Sequence, residues 1–440
     1  MWLVHFARIF RKSLFRDSST KRVLGIVNMT INLKKKVSSV FLILAFSAVA
    51  ELLTSVILGR ALPEAEFGRF KFVNTVVLTL GTLLLLGQNT AIIKVVGKND
   101  FARYNWKRFV LFCVVSAALL GILASGVAGW YYRFTYETVV IYFAFLAYIV
   151  VEYCSSILRS RGSYNFSMFL SKSASIGLFC AVAVGFLIFK KMTLPALLWV
   201  YVLCAAIPVA IGLWITHRFE NGAEPLPRNV VQEGLILFLI TVSYVILGQV
   251  DQFFIAKMLG YEALAGYSVI ITITRGFDLV AMALWFVLMP HYAKGVVRPI
   301  KSDAMKAGMV AMALALFYTL FGGWLLHFLF RGKFDGSVFL IGFFIVIGIC
   351  KVLYAIPSGI IGGRLSQEYL KVFLLASLVG IAINISGNYF LIPLWGLAGS
   401  ATATMVSWIL RVGFSYWLVY KEKTGHKRGM IEEIRWESAS

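Results

Sequence analysis

The sequence predicts an all-α polytopic membrane protein with about twelve transmembrane helices in two six-helix lobes, related by a parallel pseudo-two-fold repeat. Three observations carry that expectation. AVILMFWYC residues make up 60% of the 440, and DEKR only 14%, against roughly 45–50% apolar and ~25% charged in soluble domains. Mean hydropathy is +0.83. The apolar residues also fall in runs of about 20 or more, the length that crosses a bilayer as a helix, and not in the ~10-residue alternating segments of a membrane barrel. A soluble enzyme, a disordered chain and a small disulfide scaffold are excluded.

Residues 1–36 lack the apolar core and small-residue cleavage site of a signal peptide. Trp2, Leu3, Phe6, Ile9, Phe10, Leu14 and Phe15 instead alternate with Arg8, Arg11, Lys12 and Arg16. That helical spacing suits an amphipathic segment lying on anionic lipid. Twelve apolar spans come next, at 37–58, 72–96, 109–130, 138–158, 166–189, 194–216, 235–259, 265–290, 304–330, 336–362, 371–393 and 397–420. The longest connection, 217–234, divides them into an N-lobe (37–216) and a C-lobe (235–420) and leaves 421–440 as a polar tail.

Charge sets the orientation. The net charge is +22, which in a soluble protein would suggest nucleic acid. In a membrane protein it reflects basic cytoplasmic loops, so no nucleic-acid partner is expected. With the N-terminus inside, the cytoplasmic segments hold 26 Lys and Arg and the outer loops 8. Both termini are therefore expected in the cytoplasm.

The halves echo each other. Leu62-x5-Gly68 returns as Leu259-x6-Gly266, and Phe186-Leu187-Ile188 as Phe390-Leu391-Ile392. An even number of spans per half makes the repeat parallel, and transporters built this way hold substrate between halves that rock.

An ionisable side chain at membrane depth costs roughly 2.5–3.5 kcal/mol on insertion scales and so faces a cavity or a partner. The candidates are Glu51, Glu152, Asp251, Arg275, Asp278, Lys351 and Arg411. Lys94, Lys172 and Lys257 lie nearer span ends, where snorkelling is expected. Arg275 and Asp278, three residues apart, are expected on one helix face as an internal pair or a switchable one. Glu51 and Asp251, 200 apart, occupy matching places in the repeats. Either could carry a coupling H⁺ or Na⁺, or hydrogen-bond a neighbouring helix. Glu152 and Lys351, 199 apart, are expected at matching depth as a gate pair. Arg411 lacks a partner in its own helix, leaving an anionic substrate group, a carbonyl or a lipid phosphate. Arg275, Lys351 and Arg411 are thus the expected substrate-binding cations, and Glu51, Asp251, Asp278 and Glu152 the expected ion-coupling or gating groups. A glycan path could use aromatic faces such as Trp285, Tyr244, Trp395 or Trp408.

The five cysteines and five histidines form no CxxC, HExxH or clustered set, so neither metal nor cofactor is expected. No large outer loop or His/Asp cluster is present to serve a membrane-embedded polymerase, ligase or acyltransferase.

Three motifs then resemble a known family. Asn384-x3-Asn388-x4-Pro393-x2-Gly396-x2-Gly399-Ser400-Ala401-Thr402-Ala403-Thr404 is similar to the closing helix pair of bacterial polysaccharide flippases of the Wzx type. These belong to the multidrug/oligosaccharidyl-lipid/polysaccharide exporter superfamily. Asp251-x8-Gly260-x5-Gly266-Tyr267 resembles their seventh-to-eighth junction, and Arg60-x-Leu62-x4-Phe67-Gly68-x-Phe70 their first-to-second. The resemblance implies a V-shaped, two-lobed transporter. It would flip polyprenyl-diphosphate-linked glycan units for O-antigen, capsule or exopolysaccharide by alternating access, with H⁺ or Na⁺ coupling. Its partners would be membrane lipids, a polysaccharide polymerase and a chain-length regulator. The multidrug branch of the superfamily would favour an acidic cavity.

Overall fold

The computed structural model describes residues 25–96, 104–189, 192–220, 222–224, 226, 229–293, 300–364 and 367–437. Of the basic segment read at 1–36, residues 1–24 lie outside them, as does the side chain of Lys94, while 25–36 are helical.

Thirteen α-helices succeed one another among the described residues. They are α1 (Gly25–Ala61), α2 (Glu64–Leu84), α3 (Gln88–Val96), α4 (Trp106–Tyr132), α5 (Tyr136–Ser160), α6 (Tyr164–Phe189), α7 (Leu194–His217), α8 (Asn229–Met258), α9 (Tyr261–Ile273), α10 (Gly276–Ala293), α11 (Ile300–Phe330), α12 (Leu340–Arg364) and α13 (Gln367–Glu437). Eight of the described helices are long and apolar enough to cross a membrane, or nine if α9 and α10, bent by 52°, are one broken span. The protein is a multi-pass membrane protein.

All twelve apolar runs fall on helices, but three breaks modify the expected layout. The run at 72–96 is split between α2 and α3 where Leu86 and Gly87 take φ of 47° and 67°. The run at 265–290 is split at Thr274–Arg275. In α13 the break lies at Gly396 (φ 56°, ψ −132°), three residues after Pro393, between the last two expected spans. Helix starts are conventional. Pro63 precedes Glu64 and Glu66 in the first turn of α2, where carboxylates meet the positive end of the helix dipole. Asn105 caps α4 by accepting from the Arg108 backbone N–H at 3.2 Å.

Packing obeys membrane rules, in which small residues face the protein and large apolar ones face lipid. On α4, Ala117, Gly121, Ser125 and Gly129 are buried, while Leu119, Leu123 and Trp130 are exposed. On α11, Ala307, Ala311, Ala315 and Gly322 repeat the pattern. Cys154, Cys204 and Cys350 are buried fillers as expected, whereas Cys180 is exposed.

Helices α1 to α7 pack mostly on one another (α1 on α6, α5 on α2 and α7), as do α8 to α13 (α12 on α10, α11 and α13; α13 on α8). The halves meet chiefly where α2 crosses α9 and where α2 and α3 lie along α8. The crossing is close because Gly68 has no side chain: a Cβ there would run into the Tyr261 carbonyl. Beside it, Arg60 at the end of α1 donates to the Leu329 and Phe328 carbonyls at 2.6 and 2.9 Å. Lys333, just beyond α11, donates in return to the Gly59 carbonyl at 3.0 Å and to that of Leu62. Each cation thus satisfies open carbonyls at the other helix's C-terminus. The connection read as a linker is anchored as well: Asn105 N donates to Glu224 O at 2.7 Å, and Trp106 Nε1 to Glu220 O at 3.0 Å.

Candidate functional site

The break at Thr274–Arg275 positions the central charges. With the helix interrupted there, Arg275 and Asp278 do not pair along one helix face as expected. Arg275 reaches α1 in the first half and pairs with Glu51. Asp278, in the first turn of α10, instead pairs with Lys351 of α12 at 2.8 Å. One short stretch of backbone therefore links an ion pair between the halves to one within the second half.

Around Glu51 the charge is unbalanced. Lys71, Lys172 and Arg275 all act electrostatically on its carboxylate, so three cations surround one anion. Lys71 Nζ donates to Ser55 Oγ at 2.6 Å and lies 3.5 Å from Thr272 Oγ1 of α9, again bridging the halves. Tyr201 of α7 lies in the field of Glu51 and donates to Asn74 Oδ1 at 3.0 Å. Sequence reasoning missed Lys71, since a second span starting at 72 leaves that lysine in an outer loop. The first-turn carboxylates Glu64 and Glu66 after Pro63 are the signal for an earlier start. Lys172, expected to snorkel, belongs to this cluster.

The expected Glu152–Lys351 gate pair does not form. Glu152 accepts from Ser171 Oγ of α6 at 2.7 Å, within the first half. Lys351 has its carboxylate in Asp278 and lies 5.8 Å from the Trp408 ring. Arg69 forms an ion pair at 2.7 Å with Glu137, a fully buried residue, and so fastens α2 to α5.

Asp251 stands at the head of a second polar group. Its side chain, in a residue 2% exposed, accepts from Tyr267 OH at 2.6 Å and the Gln252 backbone N–H at 2.8 Å, with Thr404 Oγ1 at 3.5 Å. Beyond Thr404 the network continues through Asn384 and Asn388 to Ser400, whose Oγ donates to Asn388 Oδ1 at 2.6 Å. Residues of the motif similar to the flippases' closing helix pair thus supply a chain of hydrogen-bonding groups leading to Asp251. Asp251 does not share the environment of Glu51, since no ion pair holds it among the described residues.

Arg411 finds its partners on other helices. Its guanidinium donates to Ser243 O at 3.3 Å, Ser243 Oγ at 3.2 Å and Tyr354 OH at 3.0 Å. Of the aromatics proposed for a glycan path, Tyr244 and Trp408 come together with ring centroids 5.7 Å apart. Trp408 is buried, whereas Trp285 and Trp395 are exposed on the helix surface, so the four line no common path.

Comparison with known proteins assigns this arrangement to a family. Residues 33–296, more than half of the chain, match the family model described as "Polysaccharide biosynthesis protein". The chain belongs to that family. Solved structures share its fold at low identity. An inward-facing multidrug resistance MATE family transporter of the MOP superfamily is 16% identical, with 86% of this chain and 96% of that chain covered and a TM-score of 0.61. An outward-facing transporter of the same description is 15% identical, covering 90% and 97%, at a TM-score of 0.63. A MOP superfamily transporter from Pyrococcus furiosus is 15% identical, covering 88% and 95%, at 0.62; its description reports a binding pocket of reversed polarity that suggests a different function. No curated protein sequence matches. This polysaccharide biosynthesis family member thus has the MOP transporter fold, and its ion-paired break lies where α1 and α2 of one half meet α9 and α10 of the other.

Proposed function

We propose that the protein flips polyprenyl-diphosphate-linked oligosaccharide units across the bacterial inner membrane by alternating access, for assembly of a surface polysaccharide. The observation that carries this reading is the cation excess at the junction of the halves, with Lys71, Lys172 and Arg275 around the single carboxylate of Glu51. A glycan diphosphate cannot enter hydrocarbon unless its lost hydration is replaced, since the desolvation of charge alone runs to tens of kcal/mol. Cations placed where they face substrate supply that replacement, and their attraction for a diphosphate strengthens in low dielectric.

Glu51 gives the site its switch. In the empty protein it holds Arg275; an arriving diphosphate takes Arg275 and the two lysines, and the link between α1 and α10 is rebuilt through substrate. Lys351 of α12 and Asp278 of α10 offer a second exchangeable pair. Asp251 is the seat of the coupling ion: a buried carboxylate with hydroxyl and amide oxygens beyond it suits H⁺ or Na⁺, which favours oxygen ligands and releases when the helices shift. Both termini are cytoplasmic in this scheme. The polymerase and chain-length regulator of the same polymer are the partners that receive the product.

The rival within the fold is an exporter of organic cations. Lys71, Lys172 and Arg275 around Glu51 disfavour such substrates. The test is complementation of a deletion strain with Lys71→Gln and Arg275→Gln at matched membrane expression. Accumulated polyprenyl-diphosphate glycan in both variants supports the reading. Normal surface polymer in both removes it, and new sensitivity to cationic dyes in its place establishes the rival.

A further inference from the structure

On the surface of the second half, a groove of about 430 Å³ lies between α8 and the two limbs of α13. Its walls are apolar, with Leu247, Phe373 and Phe414 at the back and the exposed Leu375 and Leu410 at the rim. Three polar side chains break that lining: Ser415, whose Oγ donates to the Arg411 carbonyl at 2.6 Å, and two that are left incomplete. Ser377, 4% exposed, has no partner for its Oγ, and Arg411, 6% exposed, has none for its Nε. Hydrocarbon cannot satisfy either atom, so each raises the energy of an empty groove. Arg411 is also uncompensated in charge, because all three of its hydrogen bonds go to the neutral oxygens of Ser243 and Tyr354. An apolar groove whose unpaired polar atoms are one cationic donor and one hydroxyl fits an anionic amphiphile with hydrogen-bond acceptors on its head.

Depth selects the amphiphile. Arg411 lies fifteen residues beyond the break at Gly396, about 22 Å at 1.5 Å per residue. That is well inside a hydrocarbon core of ~30 Å. A resident phospholipid keeps its phosphate at the interface. A phosphate on Arg411 therefore belongs to a lipid whose head travels between leaflets. The inward side of Arg411 points the same way: Tyr354 stacks on Tyr244 at 6.4 Å, and Tyr244 sits in the field of the Lys351–Asp278 pair. The guanidinium stands between the lipid-facing groove and the charges of the central site.

We propose that this groove is the lateral seat of a polyprenyl phosphate lipid, with the isoprenoid chain along the apolar walls and the phosphate on Arg411 and Ser377. The inference rests on the flippase reading and adds to it the path of the tail. It also assigns Arg411 to the lipid phosphate, away from the Glu51 cluster.

The test is native mass spectrometry on the full chain in detergent, titrated with a long-chain polyprenyl phosphate, with phosphatidylglycerol as competitor. Gly380→Leu is the informative variant, because Gly380 lines the groove and a Cβ there meets nothing within 4 Å. Gly380→Leu and Arg411→Gln are each expected to weaken binding tenfold or more, and Ser377→Ala a few-fold. The thermal midpoint of Gly380→Leu should stay at or above wild type. A tenfold excess of phosphatidylglycerol should leave the bound prenyl lipid in place. Unchanged binding in Gly380→Leu and Arg411→Gln overturns the groove while the flippase reading stands. Displacement by phosphatidylglycerol makes it a resident-lipid site and likewise overturns the proposal, as does a wild type that binds no prenyl phosphate. Failure of the flippase reading is read separately, in the complementation by the Lys71 and Arg275 variants.

Discussion

In the proposed exchange the Glu51 carboxylate, which pairs with Arg275, competes with substrate for it, and that competition has a sign that can be measured. Both partners are partly exposed, with side-chain accessibilities of 24% and 42%, so the pair is an exchangeable contact and not a buried structural one. Glu51→Gln removes the competitor and leaves Lys71, Lys172 and Arg275 facing the diphosphate alone. Binding of a polyprenyl-diphosphate glycan is expected to tighten several-fold while transport slows, because release has lost its exchange partner. Equal transport with weaker binding would contradict the exchange. Lys71→Gln and Arg275→Gln each remove a charged hydrogen-bond partner, worth ~1.5–3 kcal/mol. Flux per expressed protein should fall about tenfold or more in each, since 1.4 kcal/mol is a factor of ten. At this scale the sequence was partly legible. The cost of charge in hydrocarbon singled out Glu51, Asp251, Arg275, Asp278, Lys351 and Arg411, and each has a specific polar partner in the structure. Their pairing was not legible, because helix spacing joined Arg275 to Asp278 and no local pattern marks a break between Ile273 and Gly276.

The breaks are also the feature that separates elements from apolar runs. Hydropathy merges Leu83 to Leu86 with the apolar residues from Ala91 to Val96, so 72–96 reads as one span, yet the positive φ of Leu86 and Gly87 starts a new helix against α8. The sequence does record the close crossing of α2 and α9, in Gly68, but a glycine in an apolar run has several uses and its partner Tyr261 is 193 residues away. Gly68→Val is expected to wedge this crossing open while each half keeps its own packing. The measurement uses a chain whose five cysteines are replaced, with one new cysteine at Thr272 beside Lys71. A water-soluble maleimide should label Thr272→Cys faster with Gly68→Val than without it, and no change in rate would show that this crossing does not close the site. The reciprocal caps by Arg60 and Lys333 hold the same end, so Lys333→Gln should move the rate in the same direction by less, as loss of an exposed cap costs ~0.3–1 kcal/mol.

For the whole molecule, composition was the strongest signal, and it led directly to a multi-pass helical protein. Charge distribution adds an expected orientation: 26 Lys and Arg in the segments of one side against 8 in the loops of the other favour cytoplasmic termini. Epitope tags at either end should resist protease in intact spheroplasts and be cleaved after lysis. Cleavage of either tag in intact cells would reverse the direction assigned to the site. What composition leaves open is the substrate, since the same fold at 15–16% identity includes multidrug transporters. The three cations acting on the Glu51 carboxylate at the junction of the halves favour the proposed diphosphate over an organic cation. The most direct measurement is the lipid extract of a deletion strain, analysed by mass spectrometry with surface polymer stained in parallel. Polyprenyl-diphosphate-linked glycan should accumulate and surface polymer should disappear, both reversed by the wild-type gene. Unchanged lipids and normal polymer in the deletion strain would contradict the flippase account.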